Sequence, residues 1–374
     1  MNNDGISVTE VAGREALTEF AALPFQIYAS YPAWWPPDID NEIDLLAGRS
    51  PICAYLDMQP FAVRNQGRLV ARVTAIVNHR YNDHWHERMG QLIHFEALPE
   101  QDVAVGRMLE CAMRWLRQAG MDSVRSGFAA FLDYPYAIDN YGKLSSFLLR
   151  GNPDYYHCYF KNSGFRTEKG MLDFTVPLQR ETLMRYPGMV EAAQRHGAVV
   201  QSWQDFGYAD AVDAWTDVIN AAFAQHWGWN PITREEVRPM LMALAQTEVA
   251  ELSTIATVGG QPVGVMFAVP DFSPRLAQIR PGTKVAAERG GGSRGALVNI
   301  GVLAPWRGKG INLALAAHSF LRMAQLRIKY AGYTLVLDDN WASRRTAVKL
   351  GGTVSGNFVV YRHDFGQGRI KVEV

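Results

Sequence analysis

The stretch from Val302 to Asn312, VLAPWRGKGIN, decides how the fold of this chain is interpreted. A strand-like segment, ALVNIGV, precedes it, and an alanine- and leucine-rich helical segment follows it. The first N–H groups of a helix lack intrahelical partners and carry partial positive charge, and glycines let a backbone approach a ligand closely. Arg307 and Lys309 add formal charge. The loop Arg307–Gly310 therefore predicts a site for an anion, most simply a phosphate or pyrophosphate.

Two better-known phosphate motifs do not fit this loop. A P-loop has four residues between its first glycine and its Gly-Lys pair, which the spacing here does not allow. A dinucleotide fingerprint needs a βαβ spacing with an acidic partner, which the flanking sequence lacks. The alternative of a plain surface turn with two basic residues stays open. A polar stripe through His318, Arg322 and Lys329 lies beside an apolar one through Leu313 and Phe320. This pattern predicts a packed surface helix over residues 310–332 after the loop.

The composition excludes several classes of protein. The 374 residues contain 37 Lys and Arg and 37 Asp and Glu, so the chain lacks the basic excess usual in nucleic-acid binders. The N-terminal segment has no signal-peptide pattern, and the longest apolar run, VGVMFAVP, is far short of the ~20 residues that span a bilayer. The three cysteines, Cys53, Cys111 and Cys158, lack metal-ligand spacing. We therefore predict a cytoplasmic protein with no disulfide framework, no integral membrane segment and no nucleic-acid partner.

The predicted elements occur in the same order in the two halves. Each half has strand, helix, strand, helix and strand around a hairpin, and the hairpins turn near Gly67 and Gly260. Asn152 precedes a short helix that ends at Gly164, and Asn340 precedes another that ends at Gly351. This repetition predicts an internal duplication with a boundary after Pro177. We expect domains over residues 1–180 and 181–374.

Together, VLAPWRGKGIN and DDNWASRRTAVKLGG resemble the GCN5-related N-acetyltransferase (GNAT) superfamily. Its acyl-CoA signature, Arg/Gln-x-x-Gly-x-Gly/Ala, matches Arg307, Gly310 and position 312. Its second signature, an Asn that precedes a helix ending in Lys-Leu-Gly, matches Asn340 and residues 349–351. The chain is also similar to bacterial tandem-GNAT proteins, whose first half carries features seen here as VARVTA, HFEA and NPDYY.

The resemblance implies an α/β (α+β) fold with two tandem GNAT-like domains. Each domain is expected to be a mixed, mostly antiparallel sheet flanked by helices. Residues 1–180 would form a degenerate domain with an aromatic N-terminal arm, and residues 181–374 would form the acyl-CoA-binding domain. The first half has ALPEQDVAV where the second has its glycine loop, and Glu100 and Asp102 there would repel a pyrophosphate.

The resemblance further implies an N-acyltransferase that moves an acyl group from acetyl-CoA or a longer acyl-CoA directly to an amine. Exposed N–H groups near Val302 and Leu303 are expected to bind the acyl carbonyl. No cysteine lies in the second half, which favours direct transfer over an acyl-enzyme. The predicted CoA-binding residues are Val302, Leu303, Arg307, Gly308, Lys309, Gly310, Ile311, Asn312 and Asn340.

Departures from the family leave the catalytic residues open. Ala347 stands where many members have a tyrosine acid, and ALVNIGV lacks the usual glutamate base. The predicted catalytic residues are Asp338 as base, ahead of its neighbour Asp339, together with Asn340 and Tyr361 as acid. The alternative for the two aspartates is that they only cap the Asn340 turn. The alternative for Tyr361 is that the thiolate leaves without an acid.

The acceptor remains a small-molecule amine or a lipid amine. The predicted substrate-binding residues are Trp227, Trp229, Asp271 and Trp35, the last within the aromatic segment YPAWWPP. HWHE is interpreted as a solvated loop, so no metal is expected. Three function classes stay open: an N-acyltransferase, including a long-chain enzyme for sphingoid-type amines; a non-catalytic acyl-CoA sensor; and a pseudo-enzyme without CoA affinity. The sequence does not determine the oligomeric state.

Overall fold

The structure is a computed structural model that describes residues 5–31, 33–129, 132–146, 149, 151–279 and 292–366. The chain divides into two compact units that are interleaved in sequence. Unit 1 contains Met1–Gly142, Gly151–Lys169 and Val359–Val374, and unit 2 contains Lys143–Arg150 and Gly170–Phe358. The sequence-predicted domains are two continuous segments, and how function divides between them stays a prediction.

Unit 1 is built around a mixed sheet. Its elements are β1 (Ile6–Glu10), α1 (Arg14–Ile27), α2 (Ile39–Leu46), β2 (Leu56–Asn65), β3 (Arg68–Asn78), α3 (His79–Trp85), β4 (Met89–Ala97), α4 (Asp102–Gln118), β5 (Ser123–Ser126), β6 (Tyr136–Ala137) and α5 (Tyr156–Asn162). Strands β1 to β4 pair antiparallel in chain order, and β4 pairs parallel with β5.

Local sequence explains the first hairpin and the helix beside it. Gln66 and Gly67 both have positive φ, 49° and 80°, as a tight two-residue turn between twisted strands requires. Along α4, the predicted apolar face is buried, including Val105, Met108 and Leu116. These side chains pack on β2 and β3 to form the core of unit 1.

Unit 2 repeats the element order. Its elements are β7 (Arg166–Pro177, from Gly170 onward), α6 (Arg180–Leu183), α7 (Tyr186–Gln194), β8 (Ala198–Ser202), α8 (Trp203–Phe206), α9 (Tyr208–Phe223), α10 (Arg234–Ala243), α11 (Val249–Leu252), β9 (Thr254–Val258), β10 (Gln261–Pro270), α12 (Ser273–Leu276), β11 (Arg294–Val302), α13 (Ile311–Gln325), β12 (Tyr330–Leu337), α14 (Trp341–Lys349) and β13 (Thr353–Asp364, to Phe358). Strands β8 to β11 pair antiparallel, and β11 pairs parallel with β12.

In each half of the sequence, the final strand pairs with a strand from the other half. Strand β7 ends the first half of the sequence, yet its residues from Met171 pair antiparallel with β12. Strand β13 ends the second half, yet Tyr361–Asp364 pair antiparallel with β5. The duplication is therefore present in the order of the elements, but the last strands are exchanged.

One predicted boundary was wrong. The helical pattern after the glycine loop extends to residue 332, but α13 ends at Gln325 and β12 begins at Tyr330. Arg327 adopts a left-handed φ of 64°, and the N–H of Ile328 donates back to Met323 O. This closing turn ends the helix, so Lys329 does not lie on its polar stripe.

Across the described stretches, no helix is both long enough and apolar enough to cross a bilayer.

Candidate functional site

A gap opens between β11 and β12 in the sheet of unit 2. Their parallel pairing within the described residues runs from Arg294 and Tyr330 to Leu297 and Tyr333, and it stops there. The Thr334 hydroxyl donates to Leu297 O at 3.3 Å at the point of separation. The next residue on β12, Leu335, has a φ of 55°, so the strand bulges away. Residues 298–300 are accordingly half-exposed rather than covered by a neighbouring strand.

The backbone of β11 presents N–H groups to this gap, including that of Val302. The N–H of Leu303 donates to Val263 O at 2.9 Å, on the β10 side. It is therefore not available to an acyl carbonyl, although the sequence predicted that role for it. Because backbone groups alternate between the two edges of a strand, the N–H of Val302 points to the opposite edge, where β12 has separated. The Val302 carbonyl, on that same edge, accepts from Arg307 Nε at 3.0 Å.

A row of backbone donors follows at the start of α13. Gly308 and Gly310 adopt left-handed φ values of 80° and 76°, and a Cβ at either position would meet nothing within 4 Å. The first helical bond runs from Ala314 N to Gly310 O, and no side chain caps the helix. Among the described residues, the N–H groups from Gly308 to Leu313 have no acceptor. This open helix start is suited to a phosphate or pyrophosphate.

The polar side chains of this loop mostly hold it in place. Arg307 donates to Val302 O and also, at 2.9 Å, to Ala222 O near the end of α9. Lys309 Nζ lies 4.0 Å from the centre of the Trp306 ring. Asn312 donates to the Thr346 hydroxyl at 2.9 Å, which ties α13 to α14. The predicted CoA-binding residues from Val302 to Asn312 thus form one continuous segment, whereas Asn340 lies at the start of α14, and Arg307 and Asn312 already bind protein groups.

Two of the predicted catalytic residues lie at the junction between β12 and α14. The Asn340 side chain accepts from Ser343 N at 3.0 Å and caps α14. The exposed Asp338 carboxylate lies directly over Gly170 of β7, where it leaves no room for a Cβ. The structure therefore gives Asn340 a structural role and places Asp338 against β7.

Tyr361, the predicted acid, belongs to unit 1 rather than unit 2. Its hydroxyl lies 2.6 Å from His157 Nδ1, and burial raises the pKa of Tyr361 to about 12. His157 Nε2 lies 2.9 Å from Ala137 O, which only accepts, so Nε2 carries the proton and the Tyr361 hydroxyl donates to Nδ1. Tyr361 therefore belongs to a different unit from the CoA-loop residues.

The predicted substrate-binding residues are also divided between the units. Trp229 is buried edge-on to Phe223, 5.1 Å between ring centres, and Trp227 is half-buried nearby in unit 2. Asp271 is buried and forms an ion pair with Arg294 at 3.0 Å, also in unit 2. Trp35 is buried in unit 1.

His226 was not among the site residues predicted from the sequence. Helix α9 ends at Phe223, and His226, in the turn that follows, stacks on the Phe223 ring with 4.8 Å between ring centres. Burial lowers the pKa of His226, and the charge of Asp339 opposes that effect. A single histidine in AQHWGW gives no signal in one sequence, because its partners come from α9 and the β12–α14 junction.

Unit 1 fills the equivalent junction with its own side chains. Parallel pairing of β4 with β5 stops at Leu92 and Ser126. Beyond this point, three tyrosine hydroxyls from α5 and the residue before it bind backbone groups at the end of β4 and before α4. The Tyr155 hydroxyl donates to Ala97 O at 2.8 Å, and the Tyr156 hydroxyl accepts from Ala97 N at 3.0 Å. The Tyr159 hydroxyl donates to Leu98 O at 2.7 Å and accepts from Gln101 N at 3.0 Å. These backbone groups are therefore occupied.

The motifs that the first half shares with tandem-GNAT proteins have structural roles here. Arg72 of VARVTA is fully buried, pairs with Glu42 and donates to Phe20 O. Glu96 of HFEA accepts from the hydroxyls of Tyr28 and Tyr156 at 2.9 and 2.7 Å. Each buried charge is thus paired or hydrogen-bonded, as burial requires.

Comparisons with known proteins agree with this architecture. No protein-family model matches the chain. A bacterial ceramide synthase of Caulobacter vibrioides is 23% identical over 283 residues, which is 74% of this chain and 73% of its own. A tandem GNAT protein from the clavulanic acid biosynthesis pathway superposes with a TM-score of 0.59 at 11% identity, over 96% of this chain and 99% of its own.

A third similarity is to a longer protein. The fungal multi-domain GH3 β-N-acetylglucosaminidase with a GCN5-related glucosamine N-acetyltransferase region superposes with a TM-score of 0.61 at 15% identity. That match covers 97% of this chain and 38% of the fungal chain. The chain therefore has the tandem GNAT fold, a mixed α/β architecture, and the fold expected from the sequence is confirmed.

Proposed function

We propose that this protein is an acyl-CoA-dependent N-acyltransferase. One observation carries the proposal: the gap between β11 and β12 leads directly to the uncapped start of α13. A linear ligand with a diphosphate and an extended arm matches both features. Its diphosphate would lie on the N–H groups from Gly308 to Leu313, with Lys309 beside it, and its arm would run along the open edge of β11. Acyl-CoA, as donor substrate, has this chemistry.

The reaction is direct transfer to an amine. The Val302 N–H, which faces the gap, would bind the thioester oxygen and stabilise the oxyanion as the amine attacks. The C–S bond then breaks and CoA leaves as the thiolate. Cys53, Cys111 and Cys158 all belong to unit 1, whereas the chain segments that form the gap belong to unit 2. No step in this proposal requires a metal.

A lipid amine is the acceptor that we favour. A ceramide is an N-acylated sphingoid amine, and the Caulobacter relative aligned over 74% of this chain is a ceramide synthase. Trp227 and Trp229, beside His226, would supply apolar surface for such an acceptor. A small amine is the alternative, and a cytoplasmic location stays a prediction.

Thiol release tests this proposal. The purified chain is mixed with acetyl-CoA or palmitoyl-CoA and with sphinganine, hexadecylamine or glucosamine, and free CoA is measured with a thiol reagent. We expect amine-dependent release of CoA, fastest with sphinganine, and the matching amide by mass spectrometry. CoA binding without release for any amine would favour a sensor, and a thermal-shift assay without any response to CoA would favour a pseudo-enzyme.

A further inference from the structure

His226 lies at the mouth of the gap between β11 and β12. The end of α9 packs on β11: a Cβ at Gly301 would come within 3.0 Å of both Ile219 and Ala222. The Ala222 carbonyl also accepts from Arg307 of the glycine loop. His226 follows in the turn after α9, and the charge of Asp339, just after β12, acts on its ring. The imidazole therefore directly follows a helix that packs on β11 beside the gap.

The hydrogen bonds of His226 determine which nitrogen has a lone pair. Nδ1 lies 3.1 Å from the Trp227 carbonyl oxygen, which only accepts, so Nδ1 carries the hydrogen and donates. Nε2 is therefore the unprotonated nitrogen of the neutral ring. Within the described residues, no protein group binds Nε2, and the side chain is only partly buried. Stacking on Phe223, with 17° between the ring planes, fixes the ring orientation.

Three effects set the pKa of this ring. Burial is the largest; it lowers the pKa of His226 and keeps the imidazole neutral near pH 7. The hydrogen bond to the Trp227 carbonyl and, after it, the charge of Asp339 raise the pKa and would stabilise the imidazolium once a proton has been taken. Asp339 acts on the ring from the β12–α14 junction. Arg307 of the glycine loop donates to the Val302 carbonyl and to the Ala222 carbonyl, one turn before His226, so its charge is held by backbone groups. A neutral imidazole with a nearby carboxylate is suited to accept a proton.

We propose that His226 Nε2 is the catalytic proton acceptor for the amine. This inference rests on the proposed function. The neutral amine forms the C–N bond to the thioester carbonyl while Nε2 takes one of its protons. Collapse of the tetrahedral intermediate breaks the C–S bond, and the imidazolium returns the proton to the departing sulfur. The products are the amide and free CoA thiol, with no other reactant required.

This assignment differs from the one that the sequence favoured. Asp338 was expected to be the base ahead of Asp339, but its carboxylate lies over Gly170 on the β7 side. Asp339 acts on His226 instead. His226 therefore replaces Asp338 as the proposed proton acceptor.

The test compares His226→Gln with His196→Gln, a matched change at an exposed histidine of unit 2. With palmitoyl-CoA and sphinganine, we expect His226→Gln to lower kcat roughly 10²–10³-fold, the range of a lost general base, while the dissociation constant for CoA changes less than about twofold. His196→Gln should match the wild type. Activity of His226→Gln within threefold of the wild type overturns the proposal.

A pH profile and chemical rescue separate catalysis from structure. We expect kcat of the wild type to fall in acid as His226 becomes protonated, and this acid limb to move to lower pH in Asp339→Asn, because the carboxylate raises the pKa of the ring. We also expect added imidazole to restore part of the activity of His226→Ala. An unmoved limb together with no rescue contradicts the proposal. A wild-type chain that binds no CoA or releases no thiol would instead overturn the proposed function.

Discussion

At the scale of single residues, Asp173 shows how burial changes the chemistry of a carboxyl group. It lies on β7, only 6% exposed, and its Oδ2 accepts from the Ser355 hydroxyl at 2.8 Å. Its Oδ1 is buried without a hydrogen-bond partner among the described residues. Burial raises the pKa of Asp173 to about 6, against the opposing charge of Arg294. The folded state thus favours the protonated acid, and this contribution to stability is lost as pH rises through 6.

Asp173→Asn should therefore stabilise the protein at high pH relative to the wild type. The amide stays neutral, and its oxygen can still accept from Ser355. Between pH 4.5 and pH 8, we expect the free energy of unfolding of the variant to gain about 2 kcal/mol over the wild type, with no further gain above pH 8. Urea unfolding at both pH values measures this difference. A difference that is constant with pH, or that favours the wild type at pH 8, would show that the carboxylate is stabilised in the folded state.

At the scale of elements, α5 closes the junction between β4 and α4. The Tyr159 hydroxyl accepts from Gln101 N and donates to Leu98 O, so one atom satisfies two backbone groups. Tyr159 is itself 3% exposed. Helix α5 is short, and we attribute its position largely to these hydroxyl bonds and to the packing of its Tyr156 and Phe160 rings against Phe95 of β4.

Tyr159→Phe should destabilise unit 1 by roughly 1–3 kcal/mol, because it leaves both partly buried backbone groups without their partner. Tyr330→Phe is the matched control, since Tyr330 is 42% exposed and its loss of a hydroxyl should have no measurable effect. Urea unfolding of both variants makes the comparison. Equal stability of Tyr159→Phe and the wild type would mean that water replaces the hydroxyl.

The order of the elements and the glycine loop could be predicted because both are local. The hairpin at Gln66–Gly67 follows from turn residues, and the open start of α13 follows from Gly308 and Gly310. The exchange of β7 and β13 could not be predicted, since alternation shows which face of a strand is buried and not which sheet it joins. His226 could not be identified because the groups that act on its ring come from distant parts of the chain; Asp339 is more than a hundred residues away.

At the scale of the whole molecule, the two units share an order of elements. They differ at the start of the helix that follows β4 in unit 1 and β11 in unit 2. In unit 2, glycines leave the N–H groups before and within the first turn of α13 open. In unit 1, tyrosine hydroxyls occupy the corresponding backbone, and Asp102 places a negative charge in the first turn of α4. We therefore expect one CoA site per chain.

Calorimetric titration of the full chain with CoA tests this central claim most directly. We predict one site per chain, lost or weakened at least tenfold, or ~1.4 kcal/mol, in Gly310→Glu, which adds a negative charge to the row of donors. Gly260→Glu is the matched control, because Gly260 has a similar φ of 78° and equally open surroundings in the β9–β10 turn. Two equivalent sites, or unchanged affinity in folded Gly310→Glu, would contradict the account.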